Sequence, residues 1–320
     1  MPSTTGSTPG RRSLFDRPSE PPPLRLTSRD VDIVRAVARF RFLTAAQIVR
    51  LISGCDQQIG RRIRILFFHG FLDCPRVQRS QLAHVFEAGN FPLVYGIGQQ
   101  GAHLIAPHEP WINPKVDWTT NNGRVTAPFL AHTTETADVI IAIQGACAAR
   151  ALRLIDHHQL LPVMPEETRR PRRNHNPFKL KPAFTPPREN TNIVVGVVAD
   201  RLFSLAAGEE RTNYALELDR GIMDVDAKTL TGKSTIRRKL LGYWHAWKQD
   251  LHTTQWGFKS FRVLFVTPSE PRLSNMLAVQ RAVTNGGSNL FLFSTPERLA
   301  KEGPLGSAWI SGNGVLLSLP

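Results

Sequence analysis

The sequence predicts two folded parts of different class: a helix-rich α+β part over residues 24–125 and a mixed-sheet α/β part over residues 126–320. Three observations predict this. Apolar residues recur at helical spacing from Val31 to Phe67. From Asn192 onward the pattern changes to short runs of consecutive apolar residues, as strands give. Between the two, residues 165–190 form a basic insertion in which Pro171, Pro177 and Pro182 exclude a long helix. Ahead of both, residues 1–23 are rich in Ser, Thr, Gly, Pro and Arg and predict a disordered leader.

Composition narrows the partners. The 320 residues are 41% hydrophobic, so real cores can form. A net charge of +14 and a pI near 10.5 favour a polyanion, most simply nucleic acid. No apolar run reaches the ~20 residues that span a bilayer, and no signal-peptide core opens the chain. Cys55, Cys74 and Cys147 are too few and too scattered for a disulfide framework or a zinc site. A reducing cytoplasm is the expected location.

In the first part, Thr27 or Ser28 can cap a first helix, with Asp30 in its opening turn. Val31, Val34, Val37 and Ala38 give it one buried stripe. Thr44 can cap a second helix that carries Ile48, Leu51 and Ile52. Ser53-Gly54-Cys55 breaks the pattern as a tight turn would. Asp56 can open a third helix with Ile59, Ile63, Leu66 and Phe67 inward and Gln57, Gln58, Arg61, Arg62 and Arg64 outward. Arg and Gln can each pair bidentately with base edges, and Arg also binds phosphate. A helix that presents them after a short turn has the layout of a recognition helix. Phe71 to Val85, with Arg76 and Arg79, then reads as a basic hairpin, so the expectation is a winged helix-turn-helix. The alternative is an ordinary three-helix bundle with a solvated basic face. A strand over residues 92–97, a short helix over 99–105 and a loop over 107–123 follow. Residues 128–154 read as one long helix.

In the second part, residues 193–200 read as a strand ending in an acid, 201–205 as a second and 214–219 as a third. Thr231 or Ser234 starts a helix over 236–248. A buried strand over 261–267, a helix over 274–284, a strand over 289–293 and a short helix after Thr295 complete it. The basic insertion carries Arg169, Arg170, Arg172 and Arg173, read as backbone contacts to nucleic acid. Asp200 follows one strand, and a period of two puts Glu217 and Asp219 on one face of another. Converging carboxylates can hold Mg²⁺, with Asp200 and Glu217 as the ligands. This arrangement resembles the PD-(D/E)xK nuclease fold, in which a lysine orients or activates the attacking water. Here Ala199 and Asp219 stand at the proline and lysine positions, so Lys233 or Lys239 from the next helix would have to substitute. Otherwise the acids form salt bridges with Arg237, Arg238 or Lys239, and the domain is a scaffold.

Other signals carry less. Gly232-Lys233-Ser234-Thr235 imitates a phosphate loop but has Ala227 where the motif needs glycine. His132 and His157-His158 lack metal-ligand spacing. Trp244, Trp247 and Trp256 could stack bases or fill a core.

Several stretches together resemble the replication-relaxation family: residues 26–30, 41–48 and 70–72, Tyr95-Gly96-Ile97-Gly98-Gln99-Gln100-Gly101, Leu130-Ala131-His132-Thr133, Leu216-Glu217-Leu218-Asp219-Arg220-Gly221 and Lys239-Leu240-Leu241-Gly242-Tyr243. The resemblance implies a bacterial plasmid- or mobile-element-associated DNA-binding protein, a winged helix joined to a nuclease-like domain. The expected function is sequence-specific binding of double-stranded DNA in replication, transfer or transcription control, with no membrane partner. A homodimer, and replication or transcription machinery as partner, are compatible with it. The alternatives are a Mg²⁺-dependent endonuclease or nickase, catalysing through Asp200, Glu217, Asp219 and Lys239, and an adaptor for a relaxase or replication protein.

Overall fold

The computed structural model of the protein describes residues 14–78, 93–170, 175–186, 190–227 and 234–320. The chain divides into two compact units, Met1–Ala137 and Asp138–Pro320. The division falls inside a helix, later than the boundary read at residue 126.

In the first unit the order is α1 (Ser28–Phe40), β1 (Phe42–Thr44), α2 (Ala45–Leu51), α3 (Asp56–Phe68), β2 (Leu72–Asp73) and β3 (Val94–Ile97). β3 is the middle strand of a three-stranded sheet and is antiparallel to both neighbours. Two capping boxes start the first helices. Asp30 Oδ2 accepts from the Thr27 backbone N–H at 2.7 Å. Thr44 Oγ1 accepts from Gln47 N at 3.1 Å, and Gln47 Oε1 from Thr44 N at 2.9 Å. Ile33, Val34, Val37, Ile48, Ile59, Ile63 and Leu66 are buried, so the helical stripes face a common core. β1 was not foreseen, because three residues between two helices give no period. Arg41 turns the chain out of α1 with φ 70, and its guanidinium lies 4.4 Å over the Phe42 ring.

After β3, α4 (Gln99–Ile105) packs closely on the α3–β2 corner. A Cβ on Gly98 would sit 2.2 Å from the Gly70 carbonyl, and one on Gly101 2.2 Å from that of Phe71. Glycine is required at both positions. The stretch read as a loop over 107–123 contains α5 (Trp118–Gly123), whose first turn is capped by Asp117 accepting from Thr120 N at 2.9 Å. Too few apolar residues lie in it to mark a helical face. Of the expected hairpin after α3, the described residues hold β2 and a turn. There the buried Gln78 side chain bonds both Val94 backbone groups, at 2.9 and 3.0 Å. Arg79 and the rest of the expected wing lie outside the described residues.

Part of the expected leader is ordered. Phe15 is buried. Arg17 donates to the Phe67 carbonyl at 2.8 Å and to that of Leu72 at 3.1 Å, closing the C-terminal end of α3. Composition hid this strap, because one aromatic and one arginine hold it. Arg17→Ala is expected to lower the stability of the first unit by about 1–2 kcal/mol. An unchanged urea midpoint would rule the strap out as a stabilising element.

The helix α6 (Ala127–Ala148) contains the division between the units. It stops earlier than its sequence suggests: Ala151 takes φ 53, and Leu152 N bonds the Cys147 carbonyl at 3.0 Å. The next residues form β4 (Arg153–Asp156), paired with β9 (Arg201–Ala207). Tertiary pairing overrides helix propensity there. Short helices α7 (His157–Leu160) and α8 (Glu166–Arg169) follow. The strands β5 (Lys179–Leu180), β6 (Ala183–Phe184), β7 (Ile193–Val194) and β8 (Val197–Val198) make two small sheets, β5 with β8 and β6 with β7. The apolar run at 193–200 is therefore two strands outside the main sheet, not one within it.

The main sheet has seven strands, in the order β14-β13-β12-β11-β10-β9-β4. They are β4, β9 (Arg201–Ala207), β10 (Glu210–Leu218), β11 (Arg262–Val266), β12 (Phe291–Ser294), β13 (Trp309–Ser311) and β14 (Leu316–Leu317). β10, β11 and β12 run parallel, and the other neighbours are antiparallel. The final hairpin was not foreseen. The helices are α9 (Ile236–Lys248), α10 (Leu251–Trp256), α11 (Glu270–Thr284) and α12 (Pro296–Glu302). Leu240, Tyr243, Val263, Phe265, Met276 and Phe291 belong to one buried cluster. Gly242 lets α9 lie against β8, since a Cβ there would meet Val197 at 2.4 Å. Among the described residues, no helix is long and apolar enough to cross a membrane.

Candidate functional site

Helix α3 follows α2 after a turn at residues 52–55. Gln57, Gln58 and Arg61 are exposed, and one helical turn brings them to the same face. Arg64 is half-buried, with its guanidinium 5.1 Å over the Phe68 ring. Arg62 departs from the sequence reading. Its Nε donates to Asp30 Oδ1 at 2.8 Å and its Nη2 to Asp30 Oδ2 at 2.6 Å. Asp30 is fully buried, and a buried carboxylate requires a partner. Arg62 is thus tied to Asp30 and is not presented freely beside Gln57, Gln58 and Arg61. Burial alone would raise the Asp30 carboxyl, but hydrogen bonds from Arg62 and Thr27 bring it below its usual 3.8.

The other basic candidates divide in the same way. Arg76 is exposed in the turn after β2. Arg169 donates to the Met164 carbonyl at 2.9 Å. Arg170 pairs with Glu166 at 3.0 Å and Glu167 at 2.7 Å. These two are thus engaged locally, on α8. Arg172, Arg173 and Lys233 lie outside the described residues.

In the second unit, two of the resemblance stretches meet at Glu217. Thr235 caps α9 by accepting from Arg238 N at 3.1 Å. The helix then presents Lys239 and Tyr243, one turn apart, to the end of β10. Glu217 is 1% exposed. Its Oε1 accepts from the Tyr243 hydroxyl at 2.5 Å, and its Oε2 takes the Lys239 ammonium. Burial pushes the Glu217 carboxyl up to about 7, against the pull of Lys239. Burial also opposes the charge on Lys239, but Glu217, Asp200 and Asp219 more than offset it and lift that group to about 12. Tyr243 is held well above its ordinary value by burial and by the Glu217 charge. Asp200 is half-buried, and its Oδ2 accepts from Leu218 N at 2.8 Å.

Asp219 turns to other partners. Arg272 on α11 donates to both its oxygens, at 2.5 and 2.9 Å, and Thr267 Oγ1 donates to Oδ2 at 2.8 Å. Burial would raise this carboxyl, but those hydrogen bonds, with one from Gly221 N–H, bring it below 3.8. Arg237 pairs with Asp226 instead of joining the cluster. Tyr243, Thr267 and Arg272 were missed from sequence. Only Tyr243 had a signal, its four-residue spacing from Lys239.

The Mg²⁺ implied by the nuclease resemblance does not fit these residues. Both Glu217 oxygens accept from Lys239 and Tyr243, and both Asp219 oxygens from Arg272. Among the described residues, no group of three or more His, Cys, Asp or Glu side chains could hold a metal ion. Glu217 and Asp219 each spend their oxygens on a cationic side chain, which leaves no common oxygen-lined position for a hard cation.

A family model described as replication-relaxation matches residues 34–259. No curated protein and no solved structure matches the chain.

Proposed function

The chain belongs to the replication-relaxation family, and from that membership we propose that it is a sequence-specific double-stranded DNA-binding protein of a plasmid or mobile element that reads its site through α3. The family implies a role in replication or relaxation of such an element. The observation that carries the reading is the exposed face Gln57, Gln58 and Arg61, on a helix that follows a short turn. The order helix, strand, helix, helix, strand, strand, with β3 in the middle of the sheet, supports a winged helix. The net charge of +14 supports a polyanionic partner. Arg64 and Arg76 are placed by this reading on the phosphates beside the groove.

The second unit is, in the same reading, a nuclease-like scaffold. An acid ahead of β9, an acid on β10 and a helix before the parallel β11 support the likeness. The engaged state of Glu217 and Asp219 supports a structural role for both.

Footprinting and mobility shifts on the element's own duplex test the proposal. Arg61→Ala is expected to weaken specific binding roughly tenfold and to relax discrimination at one base pair. Wild-type affinity in both Arg61→Ala and Gln57→Ala would remove α3 as the reader. Supercoiled plasmid is expected to remain intact with Mg²⁺ or Mn²⁺. Nicking that disappears in Asp200→Ala and Glu217→Ala would instead establish the endonuclease alternative.

A further inference from the structure

We propose that the second unit carries a separate binding surface for single-stranded nucleic acid, centred on Trp247 at the end of α9. This surface is independent of the α3 reading. Trp247 is 41% exposed. Its indole is held in place by stacking on Trp244, with centroids 5.2 Å apart and planes 15° from parallel. Trp247 lines a groove of about 670 Å³ together with Tyr214, Phe261, Arg262 and Asn289. Thr212 and Ser260 also line a second groove of about 690 Å³, so the two adjoin. The second groove bears Arg153, Arg211 and Lys259, all exposed, opposed by Glu209 and Glu210.

Two chemistries therefore lie side by side. The exposed cations suit phosphates, and a fixed, solvent-facing indole suits a flat aromatic ring. A nucleotide chain supplies both at every residue, and stacking on an aromatic side chain tolerates any base. In a duplex the base faces are covered by their neighbours, so the partner is a single strand. An acidic peptide would answer the cations and leave the indole without a role.

The test uses the full chain and a fluorescent oligothymidylate, read by anisotropy over a salt series. Trp247→Ala is expected to weaken binding roughly tenfold, and Trp247→Phe to keep most of it. Arg211→Glu with Lys259→Glu is expected to weaken binding and to flatten its salt dependence. Arg61→Ala is expected to leave this binding unchanged, which separates it from failure of the α3 reading. Trp247→Ala is expected to stay folded by circular dichroism, with only the modest loss of stability that removal of the Trp244 stack brings. The proposal is overturned if Trp247→Ala binds the oligonucleotide like wild type. It is also overturned if polyglutamate displaces the oligonucleotide as well as unlabelled oligothymidylate does, or if Arg61→Ala abolishes binding.

Discussion

Lys239→Met is expected to destabilise the second unit by about 3–5 kcal/mol at about pH 8, because it leaves the buried Glu217 carboxylate without its cation. The loss is expected to shrink at about pH 6, where a carboxyl in such a site takes up a proton and sheds its charge. In the wild-type protein the Glu217 carboxyl is raised from 4.5 to about 7. Its contribution to stability is thus complete below 4.5 and is lost as pH rises through about 7. The Lys239 ammonium is raised from 10.5 to about 12, so its contribution is complete below 10.5 and is lost as pH rises through about 12. Combining Lys239→Met with Glu217→Gln is expected to recover most of the loss, since no unpaired buried charge remains. Urea denaturation at the two pH values measures all of this. A Lys239→Met protein as stable as wild type at the higher pH would show that the pair is not structural, and would reopen a catalytic role for it.

Arg62→Ala is expected to cost the first unit a comparable ~3–5 kcal/mol, since Asp30 is fully buried and would keep only its Thr27 hydrogen bonds. The Asp30 carboxyl lies below 3.8 in the folded chain, so its contribution is present above 3.8 and is lost as pH falls through the lower, folded value. In Arg62→Ala the trend reverses, because an unpaired buried carboxyl is stabilised by taking up a proton. Circular dichroism melts over an acid pH series check the reversal. Where the variant remains folded, it is expected to keep the base preferences of wild type, with affinity lowered only by the lost anchoring of α3. A changed base preference in folded Arg62→Ala would return that residue to the reading face.

These two positions mark the limit of what the sequence made legible. The spans of α1, α3 and α9 and the Thr27 cap of α1 could be read locally, because a 3.6-residue stripe and its flanking polar residues are near neighbours in the chain. The cap of α9 is Thr235 and not Ser234, and Cys55 ahead of α3 makes no side-chain cap. The face of α3 was legible for the same reason. Arg61 could not be told from Arg62, because the difference lies in Asp30, 32 residues away. The same holds for Glu217, whose tyrosine partner is 26 residues further on, and for Asp219, whose arginine is 53 away. The strands β1, β4 and β13 are short and carry no period, so they exist by pairing alone. The split of residues 193–200 into two small sheets likewise depends on β5 and β6, which the sequence reading left inside a basic insertion.

The clasp between Arg62 and Asp30 has a kinetic consequence for the DNA reading. It ties the middle of α3 to the first turn of α1, so under the proposed reading the helix keeps one orientation before any encounter. Little orientational freedom is then left to surrender on contact. Capture of a duplex by such a surface is governed by long-range attraction and diffusion along the phosphates, and not by the time a helix takes to settle.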